Sequence, residues 1–134
     1  MTVYKVDSPP QQEIIYNTAK QAVDFIIEQN KRSFDTDLNS CMYHSKDGLK
    51  CVVGSLISDN CYDIFIEGLP AHDSEVWNLV ASNPDINTLD SDHQQYFREV
   101  LSKMQHVHDA TNVKEWPVTF DEILNNIKEG HIPF

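Results

Sequence analysis

Two long stretches of this sequence place apolar residues three and four apart, and a chain with that spacing must lay those stripes against each other. The stronger stretch carries Phe97, Val100, Leu101, Met104, Val107 and His108 on one helical face, opened by Asp90 or Ser91 as a cap. The other carries Ile15, Ala19, Ala22, Val23 and Ile26, widened by Ile14, Phe25 and Ile27. Ser8 and Gln11 have the Ser-x-x-Gln spacing of a capping box, and Pro9 suits the first helical position. This helix is predicted from Pro9 to about Lys31, with Asn30 and Ser33 marking its end.

Two shorter helices follow from local signals. Asp73 or Ser74 caps one with Val76, Trp77, Leu79 and Val80, which Asn83-Pro84 stops. Trp116-Pro117 reads as a chain break. Beyond it, Thr119-Phe120-Asp121-Glu122 is a capping box for a last helix with Ile123, Leu124 and Ile127, ended by Gly130. Between the first helix and these lies a different texture. Cys41-Met42-Tyr43-His44 and Leu49-Lys50-Cys51-Val52-Val53 flank Ser45-Lys46-Asp47-Gly48, a turn whose Asp-Gly pair permits positive φ. A β-hairpin is expected here, with Gly54 releasing the chain and one helical turn over Ser55 to Asp59. The fold class is therefore α+β, mainly α: about four helices with one small β-hairpin inserted after the first helix, in a single domain, 1–134. The 134 residues leave no room for a second core.

Charge narrows the function. The net charge is −11, spread along both halves without a block of one sign. Duplex binding depends on neutralising phosphates, so no nucleic acid is expected on a direct basic surface. Ordered acidity can mimic nucleic acid in another protein's basic groove, but a solvated surface is the commoner cause of such a balance. No apolar run approaches a membrane span, and the first residues lack the apolar core of a signal peptide, so a cytoplasmic protein is expected. Three cysteines, Cys41, Cys51 and Cys61, do not suit a disulfide framework and fit a reducing compartment.

Candidate chemistry is sparse. Cys51 follows Lys50 and precedes a possible helical turn, which would favour a thiolate, and His108 would supply the base. Adjacent helical residues point about 100° apart, so Asp109 is not expected to orient His108. A core histidine bonded to a backbone carbonyl of the hairpin is the commoner state of such a residue. Cys41, His44, Cys51 and Cys61 are the right ligand types for zinc, with C-x-x-H spacing in the first pair, but Cys51 and Cys61 form no knuckle. Packed thiols outweigh that reading. The segment from Asp85 to Asp92 lacks the glycine and the oxygen ligand of a calcium loop and reads as polar loop plus helix cap. No glycine pattern cradles a phosphate, and no cofactor is expected.

The central segment resembles a family of small uncharacterised bacteriophage and bacterial proteins. The shared series is C-x-Y, G-x-K-C-A-x-G-x-L-I-x-D, a Tyr and E-G. Here it stands as Cys41-Met42-Tyr43, then Gly48-Leu49-Lys50-Cys51-Val52-Val53-Gly54-Ser55-Leu56-Ile57-Ser58-Asp59, then Tyr62 and Glu67-Gly68. A later helix resembles Leu101-x-x-Met104-Gln105-x-x-His108-Asp109, followed by Trp116. Val52 replaces the usual alanine and Met104 the usual leucine. The likeness covers about residues 20–125 and implies a phage-like setting without a mechanism. It marks Cys41, Tyr43, Cys51, Glu67, Gly68, His108 and Asp109 as the matching positions. The expected function is a small acidic cytoplasmic protein that binds a host or phage protein. The alternative is a thiol-dependent enzyme using Cys51 and His108.

Overall fold

A computed structural model describes residues 8–35, 37 and 40–129. The chain is mainly helical, with one two-stranded antiparallel hairpin after the first helix. Helix α1 spans Pro9–Gln29. Strands β1 (Phe34–Asp35) and β2 (Ser40–Cys41) pair Phe34 with Cys41 and Asp35 with Ser40. Then come α2 (Val52–Ser55), α3 (Ser74–Val80), α4 (Pro84–Asn87), α5 (Ser91–Ala110) and α6 (Trp116–Lys128), with 3-10 turns at Ile64–Ile66 and Val113–Glu115. The described residues thus hold six α-helices where about four were expected; α2 and α4 are single turns.

The two long stripes pack as their spacing requires. Helix α1 lies against α6, α2 and α5, and α5 lies against α6 and α2. The α1 stripe from Ile15 to Ile26 and the α5 stripe from Phe97 to His108 are buried, and the apolar residues of both join one cluster with Trp116, Phe120 and Ile127 of α6. Asn30 ends α1 in the left-handed conformation (φ 55°), its N–H bonded to the Ile26 carbonyl, a cap that Asn tolerates better than most residues. Asp73, Asn83 and Asp90 cap α3, α4 and α5 through side-chain oxygens. No helix among the described residues is long and apolar enough to cross a membrane.

Four local expectations are corrected. The Ser8 side chain makes no cap bond, and the Gln11 side chain does not reach back to it: its amide donates to Asp90 Oδ2 (3.1 Å) and its carbonyl accepts the Asp90 N–H (2.7 Å), tying the start of α1 to the start of α5. Trp116-Pro117 opens α6, because a proline in the first turn gives up only an N–H that has no helical partner. Thr119 and Glu122 therefore lie inside that helix; Glu129 closes it, and Gly130 lies outside the described residues. The hairpin ladder is Phe34–Asp35 with Ser40–Cys41, upstream of the expected pairing. The Asp47-Gly48 turn does form, with Gly48 at φ 85° and a lone bridge between His44 and Lys50, but the chain does not continue as a strand.

Val52 and Val53 turn instead into α2, displacing the helical turn expected at Ser55 to Asp59. The cause is contact with Tyr43. A Cβ on Gly54 would stand 1.9 Å from the Tyr43 carbonyl oxygen, so only glycine lets the α2 backbone press so closely. Both valines are fully buried there, which a half-buried strand would not achieve.

Candidate functional site

Helix α5 ends at the site, and His108 sits in its last turn on the apolar face. Its ring is fully buried and stacks on Trp116, with centroids 5.3 Å apart. Both ring nitrogens are engaged. Nε2 accepts the backbone N–H of Ser33 (3.2 Å), which leaves the ring hydrogen on Nδ1, and Nδ1 donates to Asp109 Oδ1 (2.7 Å). This corrects two expectations: the partner is not a hairpin carbonyl, and the adjacent Asp109 does reach the ring. Side chains on a helix lean toward its N-terminus. That lean carries the Asp109 carboxylate back over Gln105, where Oδ1 also accepts the Gln105 Nε2–H (2.9 Å) and meets the ring on the way.

Gln105 is the joint between α5 and α2. While its amide nitrogen holds Asp109, its carbonyl accepts the Val53 N–H (3.2 Å) at the start of α2. Cys51 occupies the cap of α2, and its sulfur accepts the Gly54 N–H (3.3 Å). The thiol is buried, and burial above all pushes it well above the ordinary cysteine range. At the other end of α2, His44 donates from Nε2 to the carbonyls of Gly54 (2.8 Å) and Ile57 (3.1 Å) and stacks on Tyr62.

Cys41 closes the group. Its thiol is half-buried and bonds to Asp109; burial, then the Asp109 charge and that bond, push it up to about 11. Cys41, His108 and Asp109 bring a sulfur, a ring nitrogen and a carboxylate oxygen within 4.8 Å of one another. Burial of Asp109 works against its ionisation, yet the bonds from His108, Cys41 and Gln105 outweigh it and hold the carboxyl below the usual carboxylate range.

Glu67 organises the opposite wall. Its two oxygens accept the N–H groups of Tyr43 (2.9 Å) and His44 (3.1 Å), and the Tyr62 hydroxyl adds a third bond (2.5 Å). Gly68, at φ 88°, then turns the chain so that the Leu69 carbonyl accepts the Tyr43 hydroxyl (2.5 Å). Between these walls opens a cleft of ≈ 370 Å³. Met42, Tyr43 and residues 68–71 line it together with the polar groups of Cys41, Cys51, Gln105 and Asp109.

The structure thus brings Cys41, Cys51 and Asp109 to one cleft with His108 behind them, and it sends the other proposed zinc ligands elsewhere. His44 caps α2, and Cys61 is exposed beside Ser82, with the hydroxyls of Ser58 and Ser82 pulling its thiol down. Cys41, His108 and Asp109 are suitable metal donors by type. A metal on Nδ1, however, would move the ring hydrogen to Nε2, where it would face the Ser33 N–H. Nor is this a thiol-imidazole pair: the carboxylate stands between sulfur and ring, and no ring nitrogen is open to take a proton from either thiol.

The sequence reads Ser33 only as the end of a helix, and Gln105 and Gly68 only as motif positions; it gives no site role to them or to residues 69–71. Gln105 and Asp109 are four apart on a helix, a spacing at which such side chains meet, and that signal was available. The Ser33 contact joins residues 75 apart and has no local trace. No protein-family model, curated protein or solved structure matches this chain.

Proposed function

We propose that this protein acts by binding another protein, a host or phage protein in the bacterial cytoplasm, and that its recognition element is the turn Ile64–Ile66. The observation that carries this reading is the exposure of Phe65. Phe65 is 80 % exposed and Ile64 68 %, on a turn that is firmly built. Ile66 buries beneath it, Asp63 Oδ1 accepts the Phe65 N–H (2.9 Å), and the Glu67 N–H bonds to the Ile64 carbonyl (3.1 Å). An aromatic side chain held out in water gains free energy only when something covers it, and buried aromatic anchors dominate protein interfaces. Asp63 at the cap of the turn and the net charge of −11 favour a partner whose apolar pocket has a basic rim.

The alternative, a thiol enzyme using Cys51 and His108, needs a thiolate and a free base. Burial holds the Cys51 thiol in its neutral form, and His108 has both nitrogens engaged, so the binding reading asks less of the molecule. The test compares baits. Tagged wild type, Phe65→Asp and Val118→Asp are recovered from the natural host and their bound proteins identified by mass spectrometry. Val118, 67 % exposed on α6, serves as the control. The reading expects a partner held by wild type and Val118→Asp and lost by Phe65→Asp. A partner set indifferent to Phe65 would remove the turn from the account.

A further inference from the structure

The cleft behind β2 holds a carboxylate with capacity to spare. Asp109 is the ionised side chain among the residues that line it; the rest of the lining is neutral. The hydrogen bonds it accepts come from the His108 ring, Gln105 and the Cys41 thiol, and among the described residues no Lys or Arg stands within ion-pair distance of it. Those donors are themselves fixed: His108 by the Ser33 N–H and the Trp116 ring, Gln105 by the Val53 N–H. The carboxylate therefore cannot swing away to find a cation elsewhere without breaking bonds that also hold α2.

We propose that this cleft binds a primary alkylammonium group, with the charge on Asp109 and the alkyl stem against Met42, Tyr43 and Leu69. Charge sign follows from the lone carboxylate. The choice of ammonium follows from counting acceptor sites. A carboxylate offers about four lone-pair positions, and three donors already occupy it, so about one remains. A guanidinium fork needs two parallel acceptors, whereas an ammonium is a point charge that a single acceptor can hold. The cleft volume of ≈ 370 Å³ lies at the small end of ligand sites and suits a lysine-sized group. Such a group can come from a free amine or from a lysine side chain of a partner protein. The inference does not rest on the Phe65 turn, and each can fail alone.

The experiment follows backbone and side-chain amide shifts of the full ¹⁵N-labelled chain during titration with n-butylammonium, n-butylguanidinium and n-butanol at equal ionic strength. Expected are saturable shifts at Met42, Tyr43, Leu69, Ala71 and the Gln105 side-chain amide with n-butylammonium, weaker ones with n-butylguanidinium and none with n-butanol. Asp109→Asn should weaken binding about tenfold, as loss of one charge-assisted hydrogen bond does. Because that variant also touches the packing around His108, Ala71→Phe supplies a second check: it fills the cleft, leaves the Asp109 bonds alone and should abolish the shifts. A tripeptide acetyl-Leu-Lys-Leu-amide run beside the free amine separates the sources, tighter peptide binding assigning a partner's lysine and tighter amine binding a small metabolite. Equal shifts with n-butanol, shifts scattered over surface acids, or binding that survives Ala71→Phe would overturn the proposal.

Discussion

Replacing Gly54 by alanine isolates the contact on which the cleft is built. The new Cβ would stand 1.9 Å from the Tyr43 carbonyl oxygen, 2.7 Å from its carbon and 3.0 Å from its Cα, all backbone atoms with no rotamer to yield. The closest distance is about 1.5 Å short of ordinary contact, so α2 or the Tyr43 segment must move by about that much. Neither is free. Tyr43 is held by Glu67 through its N–H and by Leu69 through its hydroxyl, and the Cys51 N–H bonds to its carbonyl (3.3 Å). On the α2 side, motion stretches the bonds of Cys51, Gln105 and His44. Overpacking costs about 1–3 kcal/mol, and each weakened hydrogen bond about 1 kcal/mol more. Alanine's better helix propensity returns at most about 1 kcal/mol. The balance is a loss of about 2–4 kcal/mol, which in a chain of this size lowers the melting temperature by about 10 °C.

Thermal unfolding followed by circular dichroism reads that loss. Gly48→Ala is the comparison, because Gly48 also has a special backbone (φ 85°) but a Cβ there meets nothing within 4 Å. It should cost about 1 kcal/mol from backbone strain alone. A Gly54→Ala protein that melts within 2–3 °C of wild type would refute the close approach of α2 to Tyr43, and with it the walls of the cleft.

Two further outcomes follow from the same geometry. Iodoacetamide at neutral pH should label Cys61 first, Cys41 more slowly and Cys51 last in the native protein, with all three labelled in denaturant after mild oxidation; early labelling of Cys51, read by peptide mapping, would contradict its burial and restore the thiol-enzyme reading. Asp90 is held down at about 2 by the His93 backbone N–H, the His93 ring and Gln11, so its folded value lies below the unfolded one; the stability it adds is present above about pH 4 and lost as pH falls toward 2, and an acid-unfolding curve that Asp90→Asn leaves unchanged would dispose of that linkage.

The helices that the sequence announced plainly are those with both a cap and a stripe. Helices α1, α3 and α5 begin within a residue of the expected starts because Pro9, Asp73 and Asp90 act locally. Where the deciding contact was distant, the local pattern misled. Val52-Val53 beside an Asp-Gly turn reads as strand, but the chain turns into helix there, with Gly54 pressed on the Tyr43 carbonyl 11 residues before it. Gln11 fits a capping box, and an aspartate 79 residues away claimed it. The site shows the same division. His108 on the apolar face was legible as a buried ring, but its neighbours were not. The rotation between successive helical residues separated His108 from Asp109 on paper, while the lean of side chains along the helix joined them. The zinc quartet, gathered by residue type alone, came apart because Cys61 and His44 serve other elements.

The convergence of so many polar side chains near α2 has a structural cause, and separating that cause from function is what leaves Asp109 as the chemical centre. A helix of one turn cannot persist by its own hydrogen bonds, since nucleation costs more than one turn returns. Helix α2 persists because side chains from outside satisfy its ends: Cys51 and Gln105 take N–H groups at its start, and His44 donates to carbonyls at its end. Glu67 does the same for the backbone of Tyr43 and His44, the segment against which α2 presses. Cys51, His44, Gln105 and Glu67 are thus accounted for by the backbone groups they satisfy, and no activity is needed to explain them. Asp109 is different. It satisfies no backbone group in these contacts, and its carboxylate receives bonds only from side chains whose own positions are fixed by others. This carboxylate is held in place and turned into a cleft; its charge strengthens the bonds it accepts from His108 and Gln105, and among the described residues no Lys or Arg stands at ion-pair distance to neutralise it. A cation entering the cleft would find that charge already fixed in position.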